Sequence, residues 1–273
     1  MKKKLFTLLT LTVFTLSSWA EDGHRLWLPA QKSQTAHVST NAQSATIDLA
    51  KQELTDYFAG TKATLLIDPA LTDDEGFTIN GNEDSVVVRA RRDIGLLYGA
   101  YDVLRRQATQ GNMNHVEQHP RFRLRMLNHW DNLDGSIERG YAGESIFEWF
   151  HLDEALLHQY ARANASIGIN GSVLNNVNAS PKMLTREYLD EVRKIADLLR
   201  PYGIRVYLSI NFATPMALGD TRTADPKNKR VRQWWKRKAK EIYSIIPDFG
   251  GFLVKANSEG QPGPGDYHRT HAE

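Results

Sequence analysis

The segment "GFLVKANSEGQPGPGD", Gly251 to Asp266, sets the terms for the fold. Phe252-Leu253-Val254 is a short apolar run of the kind that forms a buried strand. Lys255, Asn257 and Glu259 follow at once, then a turn-rich segment, Gly260-Gln261-Pro262-Gly263-Pro264-Gly265. Proline fixes φ and glycine permits tight turns, so a rigid loop is expected to carry charged side chains directly beyond a strand. Polar residues just past a buried strand are the arrangement in which parallel α/β folds place their chemistry.

Upstream, the same pattern repeats. "FRLRMLNHW", residues 122–130, is predicted as a strand and ends in Asn128-His129-Trp130-Asp131. "SIFEWF" and "LDEALLHQYARANA" are predicted helical, and "INGSVLNN" is the second strand, ending in Asn175-Asn176-Val177-Asn178. "REYLDEVRKIADLLRPYG" places Tyr188/Leu189, Val192, Ile195/Ala196 and Leu199 on one helical side, with Pro201 and Gly203 ending it. "IRVYLSIN" is the third strand, ending in Ser209-Ile210-Asn211; the helix "KRVRQWWKRKAKEIYSIIPDFG" and the strand "GFLVKA" follow. Strands alternating with long helices imply parallel βαβ units. Four polar clusters at four successive strand ends point to the first half of a (β/α)₈ barrel. A doubly wound sheet is the other option, but the first βα turn holds neither G-x-G-x-x-G nor a P-loop.

Before this series lies a small mixed α/β unit. "SATIDLAKQELTDYFAG" has Ile47, Leu49/Ala50, Leu54 and Tyr57/Phe58 on one helical face, with Gly60 as its expected stop. "ATLLIDP", "GFTIN" and "SVVVRA" are strands, the last two joined by "GNED", and "IGLLYGAYDVLRRQ" is a helix. The domain division expected is 21–118 for this α/β domain and 119–273 for four βα units of an incomplete barrel.

Composition sets the outer bounds. The chain has 273 residues, 41% hydrophobic and 24% charged, an ordinary globular balance. Residues 1–20 read as a secretory signal peptide: Lys2-Lys3-Lys4, the short apolar run "LFTLLTLTVFTL", and a small residue, Ala20, at the cut. That implies a periplasmic or secreted protein. There are no cysteines, so no disulfide supports it after export. Without the signal, 31 basic side chains face 32 acidic ones, and no global attraction to nucleic acid follows. The basic run Lys227–Lys240 is read as the solvated side of a helix whose apolar side holds Val231, Trp235, Ala239, Ile242 and Ile246. None of the nine histidines is assigned to a metal: H-E-x-x-H is absent, and His268 and His271 lack an evident third ligand. No cofactor is expected.

Among the polar strand ends, Glu259 is the candidate general acid. That role needs a raised pKa, which burial in a cleft supplies. Lys255 works against it unless it pairs with an anionic substrate. Trp130 is a candidate stacking platform for a sugar, within a stretch, 129–149, rich in Trp, Asp, Asn, Arg and Tyr. Asp131, Asp134, Glu138 and Glu144 offer carboxylates that also suit helix capping.

Three motifs, "RMLNHWDNLDGSIERGYAGESIFEW", "INGSVLNNVNA" and "GFLVKANSEGQPGPGDYHRTHAE", closely resemble the α-glucuronidases of glycoside hydrolase family 67. The resemblance extends to a hexosaminidase-like N-terminal domain. It implies removal of 4-O-methyl-D-glucuronic acid, α-1,2-linked to the terminal xylose of xylo-oligosaccharides from glucuronoxylan, with inversion. It also implies Glu259 as general acid and Lys255 as a contact of the uronic acid. Trp130 becomes an aromatic wall, and Val177 a restriction of the pocket to terminal decorations. Arg139, Asn176 and Asn211 complete the substrate-binding candidates. An inverting glycosidase needs a second carboxylate roughly 6.5–9.5 Å from the acid. In this family it is an Asp and a Glu on later barrel strands, beyond Glu273, where the helical domain through which family members dimerise also lies. The 273-residue chain is therefore expected to be an N-terminal fragment, poorly soluble and inactive alone. A hexosaminidase-like glycosidase and a non-catalytic carbohydrate-binding protein are the rivals. Against the first, "ANSEG" offers one carboxylate rather than adjacent acids.

Overall fold

The computed structural model describes Gly23 and residues 26–273. The signal peptide expected over residues 1–20 lies outside the described residues. Among those described, no helix is long and apolar enough to cross a membrane.

The first unit is built on five strands: β1 (His37–Thr40), β2 (Lys62–Ile67), β3 (Phe77–Gly81), β4 (Ser85–Ala90) and β5 (Val116–Gln118). Their order is β1-β2-β4-β3-β5, parallel across β1, β2 and β4 and antiparallel across β4, β3 and β5. Two helices cover one face: α1 (Ala45–Tyr57) and α2 (Asp93–Thr109). Side chains alternate along a strand, so Ala63 and Leu65, Ile79, and Val86, Val88 and Ala90 all turn inward and are buried. They meet Ile47, Ala50 and Leu54 of α1 and Leu96, Leu97, Ala100, Val103 and Leu104 of α2. Ser44 caps α1 by accepting from the Ile47 amide and donates to Asp93, so both helices start from one linked point. β1 and β5 are absent from the pattern-based expectation. Both are short, with "HVST" and "VEQ" offering little apolar alternation. Gly60 does not stop α1, which ends at Tyr57. Its smallness serves another end: a Cβ there would lie 2.5 Å from the Asp84 carbonyl oxygen.

The second unit is a parallel sheet in chain order: β6 (Met126–Asn128), β7 (Gly171–Val173), β8 (Arg205–Asn211) and β9 (Gly251–Lys255). Between them run α3 (Glu154–Ser166), α4 (Arg186–Leu199), the single turn α5 (Thr214–Ala217) and α6 (Lys229–Ile245). Val206, Leu208 and Ile210 of β8 face the helix layer and bury against Leu189, Val192, Ile195 and Leu199 of α4. Gly203 follows the turn after α4 at φ +74°, where a Cβ would also strike Ile94.

Three expectations are corrected here. "SIFEWF" is not helical: Phe147 and Trp149 are buried while Glu148 and Phe150 are exposed, the alternation of an extended segment. The strands predicted over 122–130 and in "INGSVLNN" shrink to three residues each; just before β6 the Arg125 amide donates to the Asn170 side-chain oxygen in place of a backbone carbonyl. On α6 it is Trp234, not Trp235, that lies deepest; its indole N–H donates to Asp220.

Both ends of this sheet, β6 and β9, are edges. Phe122, Leu124 and Met126 are exposed along one, Phe252 and Val254 along the other. Unpaired strand edges flanked by apolar side chains favour association with other chains.

The two units share one continuous core. Glu53 of α1, 7% exposed, is held bidentately by Arg162 of α3 at 2.5 and 2.8 Å and accepts from Tyr101 at 3.3 Å. The guanidinium also lies 4.8 Å over the Tyr57 ring. Removing one partner of a buried ion pair strands the other's charge, whereas replacing both by apolar groups does not. Arg162→Met is therefore expected to cost about 3–5 kcal/mol in urea unfolding, and Glu53→Met/Arg162→Met to recover most of it. A single change within about 1 kcal/mol of wild type would show that the pair does not join the units.

Candidate functional site

The four parallel strands deliver their C-terminal ends to one side of the molecule. Beyond β6, the His129 amide donates to the Val173 carbonyl, and its ring Nε2 sits 2.7 Å from the Tyr160 hydroxyl. Tyr160 continues to Ser172 at 2.8 Å; burial pushes its phenol up to about 12, so it stays neutral. Asp131, 3% exposed, accepts from Ser145 Oγ at 2.6 Å, lies 3.6 Å from His129 Nδ1, and its carbonyl accepts from the Asn176 amide. Trp130 stands between these two anchored residues, 36% exposed, its carbonyl accepting from the Glu138 amide. Its backbone is thus anchored on both flanks while the residue stays partly exposed.

Beyond β7, Asn175 exchanges two hydrogen bonds with the Ser209 backbone, at 3.0 and 2.9 Å, and so pins this loop to β8. Asn176 is buried, and its polar atoms are engaged by Asn132, the Glu138 carbonyl and the Asn178 amide. Val177 is half-buried in the same bend. Asn178 accepts from Lys255 Nζ at 3.1 Å. A cavity of about 490 Å³ opens beside this loop, lined by Asp131, Asn132, Asn175, Asn176, Asn178 and Lys182 among others.

The register of β8 and β9 sets Asn211 beside Lys255. Asn211 donates to the Ala179 carbonyl and to Gln261 Oε1, at 3.3 and 3.4 Å. Lys255 also bonds Glu259, and Arg139 Nη2 lies 3.9 Å from the same carboxylate. Arg139 in turn pairs with Glu138 at 3.4 Å. Among the expected residues, then, Lys255, Glu259 and Arg139 form one charged cluster. Asn176 and Asn211 are bonded into the loops around it. Sequence reasoning left out Asn178, Tyr160, Ser172 and Ser145. Asn178 stands in the same strand-end cluster as Asn176; the other three carry no signal in the sequence, since only tertiary contact brings them to His129 and Asp131.

The loop after β9 is as constrained as its composition implies, by a different route. Asn257 and Glu259 are non-glycine residues at φ +52° and +48°, a strained backbone of the kind that gathers at functional sites. Gly263 is extended rather than left-handed, and it is needed because a Cβ there would meet Asn257 Oδ1 at 2.5 Å. Asn257 Oδ1 accepts from the Gly265 amide, folding the segment back on itself.

The expected burial of Glu259 does not occur. Its side chain is 58% exposed, and the hydrogen bond and positive charge of Lys255, then the charge of Arg139, hold the carboxyl below its ordinary value. In this state Glu259 is ionised at neutral pH. Among the described residues, no three His, Asp or Glu converge as a metal ion requires.

Solved structures that share this arrangement of elements include glycosidases. A family 138 enzyme targeting pectin rhamnogalacturonan II aligns over 80% of this chain and 30% of its own, with a TM-score of 0.56. A mutant β-hexosaminidase of Streptomyces plicatus, in complex with product, aligns over 80% of this chain and 54% of its own, with a TM-score of 0.52. At 17% and 14% identity these likenesses concern the fold, which is one that glycoside hydrolases use. The model of the glycosyl hydrolase family 67 middle domain matches residues 104–273, and the chain belongs to that family. A probable alpha-glucuronidase A of Aspergillus clavatus is 37% identical over 99% of this chain, and one of Aspergillus fumigatus 47% identical over 74%. The alpha-glucuronidase A of Emericella nidulans is 46% identical over 75%. The chain spans between 24% and 37% of the length of these relatives.

The electrostatics of the pair make a direct prediction. In the Lys255→Ala chain, the Glu259 carboxyl is expected to titrate higher than in wild type, nearer the ordinary glutamate range. Side-chain carboxyl NMR across the acid range measures both midpoints. Unchanged midpoints would exclude Lys255 as the cause of the depression.

Proposed function

We propose that this chain contributes the acid side of an α-glucuronidase site, acting on D-glucuronic acid or its 4-O-methyl form, α-1,2-linked to xylo-oligosaccharides. In this reading residues 21–118 are an accessory α/β domain and residues 119–273 the first four βα units of a (β/α)₈ barrel. The observation that carries the proposal is the Lys255–Glu259–Arg139 cluster at the strand-end face. Two cations beside one carboxylate suit a substrate that brings a carboxylate of its own.

A uronate bound at Lys255 takes over the lysine's charge. Glu259 then loses the partner that keeps it ionised, and its pKa rises as the sugar covers it. The protonated acid is placed to give its proton to the glycosidic oxygen as the bond to the uronic acid breaks. Trp130 supplies a face for the sugar ring. Arg139 steadies the uronate or Glu259, Val177 narrows the entrance, and Asn176 and Asn211 hold the loops. Inversion requires a second carboxylate to take a proton from water on the opposite face. Asp131 is buried and bonded to Ser145, Asp134 is bonded to Ser136 in its own turn, and Glu138 is paired with Arg139, so each already serves its loop. We therefore place the base outside the described residues. The relatives' names support the substrate class.

The chain is further proposed to be exported, on a signal peptide over residues 1–20, with no nucleic-acid or membrane partner afterwards. The full-length form is proposed as a homodimer. A second reading, binding of uronic acid sugars without turnover, is favoured for this chain by the exposed, ionised state of Glu259.

The purified 273-residue chain is expected to release no measurable 4-O-methylglucuronic acid from aldouronic acids; release would overturn the placement of the base. In the full-length enzyme, Glu259→Gln is expected to lose about 10²–10⁴-fold on natural substrates, and less where the leaving group needs no proton. Equal losses on both would remove Glu259 from the acid role.

A further inference from the structure

Charge on this chain is unevenly placed. From Arg222 to Glu241 there are nine Lys and Arg and two Asp and Glu, a net of +7; the rest of residues 21–273 carries −8. Most of that positive charge is on α6. Lys229, Arg230, Arg232, Lys236, Arg237 and Lys240 are all exposed, and none of them pairs with a carboxylate among the described residues. Lys238 is different: its side chain is 14% exposed and bonded to the Leu184 carbonyl and Glu241.

In an isolated protein this arrangement is unfavourable. Arg232, Lys236 and Lys240 follow one another at four-residue spacing, where like charges repel. The first turn of α6 holds three cations and no acid, although a helix N-terminus favours negative charge. Asn228 caps the first turn by accepting from the Arg230 and Val231 amides, but among the described residues no carboxylate pairs with these six cations. Val231, Trp234 and Ile242 bury the opposite side whatever the exposed residues are. A polyanion laid along the face would relieve both.

The direction of the helix adds a functional clue. α6 runs back from the end of the sheet that carries Asn211 and Lys255 to the start of β9. Its cations therefore form a stripe about 16 Å long, at 1.5 Å per residue, that begins at the candidate site's end of the molecule. The exposed side carries one aromatic ring: Trp234 is buried and Trp235 half-buried, packed edge to face at 4.8 Å, while Tyr243, near the C-terminal end of the helix, is exposed and packs edge to face against Phe249. Single-stranded nucleic acid is gripped by successive bases stacking on several rings as well as by charge, and a single ring beyond the cationic stripe is no such platform.

We propose that the exposed face of α6 is a docking surface for acidic polysaccharide, a pyranose polymer bearing carboxylates. This rests on the uronic acid reading above and extends it: the strand-end cluster takes one terminal uronate, and α6 takes the charged polymer that surrounds it. Attraction is by charge alone, so it weakens with salt and is indifferent to sugar sequence.

The test is affinity electrophoresis of the 273-residue chain through gels holding glucuronoxylan, the same xylan with its carboxyls reduced to alcohols, or polygalacturonate. Duplex DNA and anionic vesicles are run as competitors at matched charge. Retardation is expected in both acidic polymers and not in the reduced xylan, with the dissociation constant raised about ten-fold or more in Lys236→Gln/Arg237→Gln/Lys240→Gln. That variant is expected to melt at or above the wild-type temperature in low salt, since it removes repulsion, so its loss of binding is not a folding defect. Retardation unchanged in the variant, equal retardation in reduced xylan, or preferential capture by DNA or vesicles would each overturn the proposal. Lys255→Ala separates the two readings. It is expected to keep glucuronoxylan retardation while losing short aldouronic acids, and if it loses neither, the strand-end reading fails and the α6 surface stands.

Discussion

Parallel pairing is the constraint from which the rest of this molecule follows. Neighbouring strands that run the same way end on the same side, so four chain segments far apart in sequence meet there. The β8–β9 register sets Asn211 against Lys255, and the Asn175 amide, exchanging bonds with Ser209, extends the alignment to the loop after β7. Lys255 then reaches Asn178, Asn178 leans on Asn176, and Asn176 on Asn132. One run of side-chain amides thus joins the ends of β9, β7 and β6. Slide any strand by one residue and its side chains exchange faces, which would take Lys255 out of the site.

The same face carries a tension between two electrostatic demands. A group that donates a proton near neutrality needs its charged form disfavoured, and Glu259 has the reverse, an ammonium bonded to it and a guanidinium nearby. In water-exposed surroundings such cations win. They lose their hold only when something else takes their charge, and a uronate is a chemically apt competitor. The positive φ values at Asn257 and Glu259 show that the loop holds the carboxylate where local preference alone would not. On either side of Trp130, His129 is bonded through Tyr160 to Ser172, and Asp131 to Ser145, in a largely buried polar network. That network and an exchangeable ion pair are compatible features of one strand-end face.

How much of this was legible depended on length and period. The helices α4 and α6 declare themselves because their apolar residues recur at 3–4 spacing over about four turns. Short segments are ambiguous in the same code. Phe147, Trp149 and Phe150 look helical as letters but alternate in burial as an extended chain does. Trp234 and Trp235 are adjacent, and periodicity could not say which turns inward; the bond to Asp220 decides it. β1 and β5 were missed because a strand supported by neighbours on a sheet needs little hydrophobic pattern of its own. At the site, the four polar clusters were visible as strand ends, whereas the fact that Asn176 and Asn211 spend their amides on loop geometry was not.

The sequence by itself determined the order of the long helices and of the four parallel strands, the polar character of the strand ends, the family motifs and the segregation of charge onto one helix. These are properties of local spacing and composition, and they survive without coordinates. Only the tertiary structure decided that Lys255 pairs with Glu259, that Arg162 joins α3 to Glu53 across more than a hundred residues, and that the acid candidate stands in water. Burial and partnership depend on what other segments bring to the same point in space, and one-dimensional spacing does not encode that.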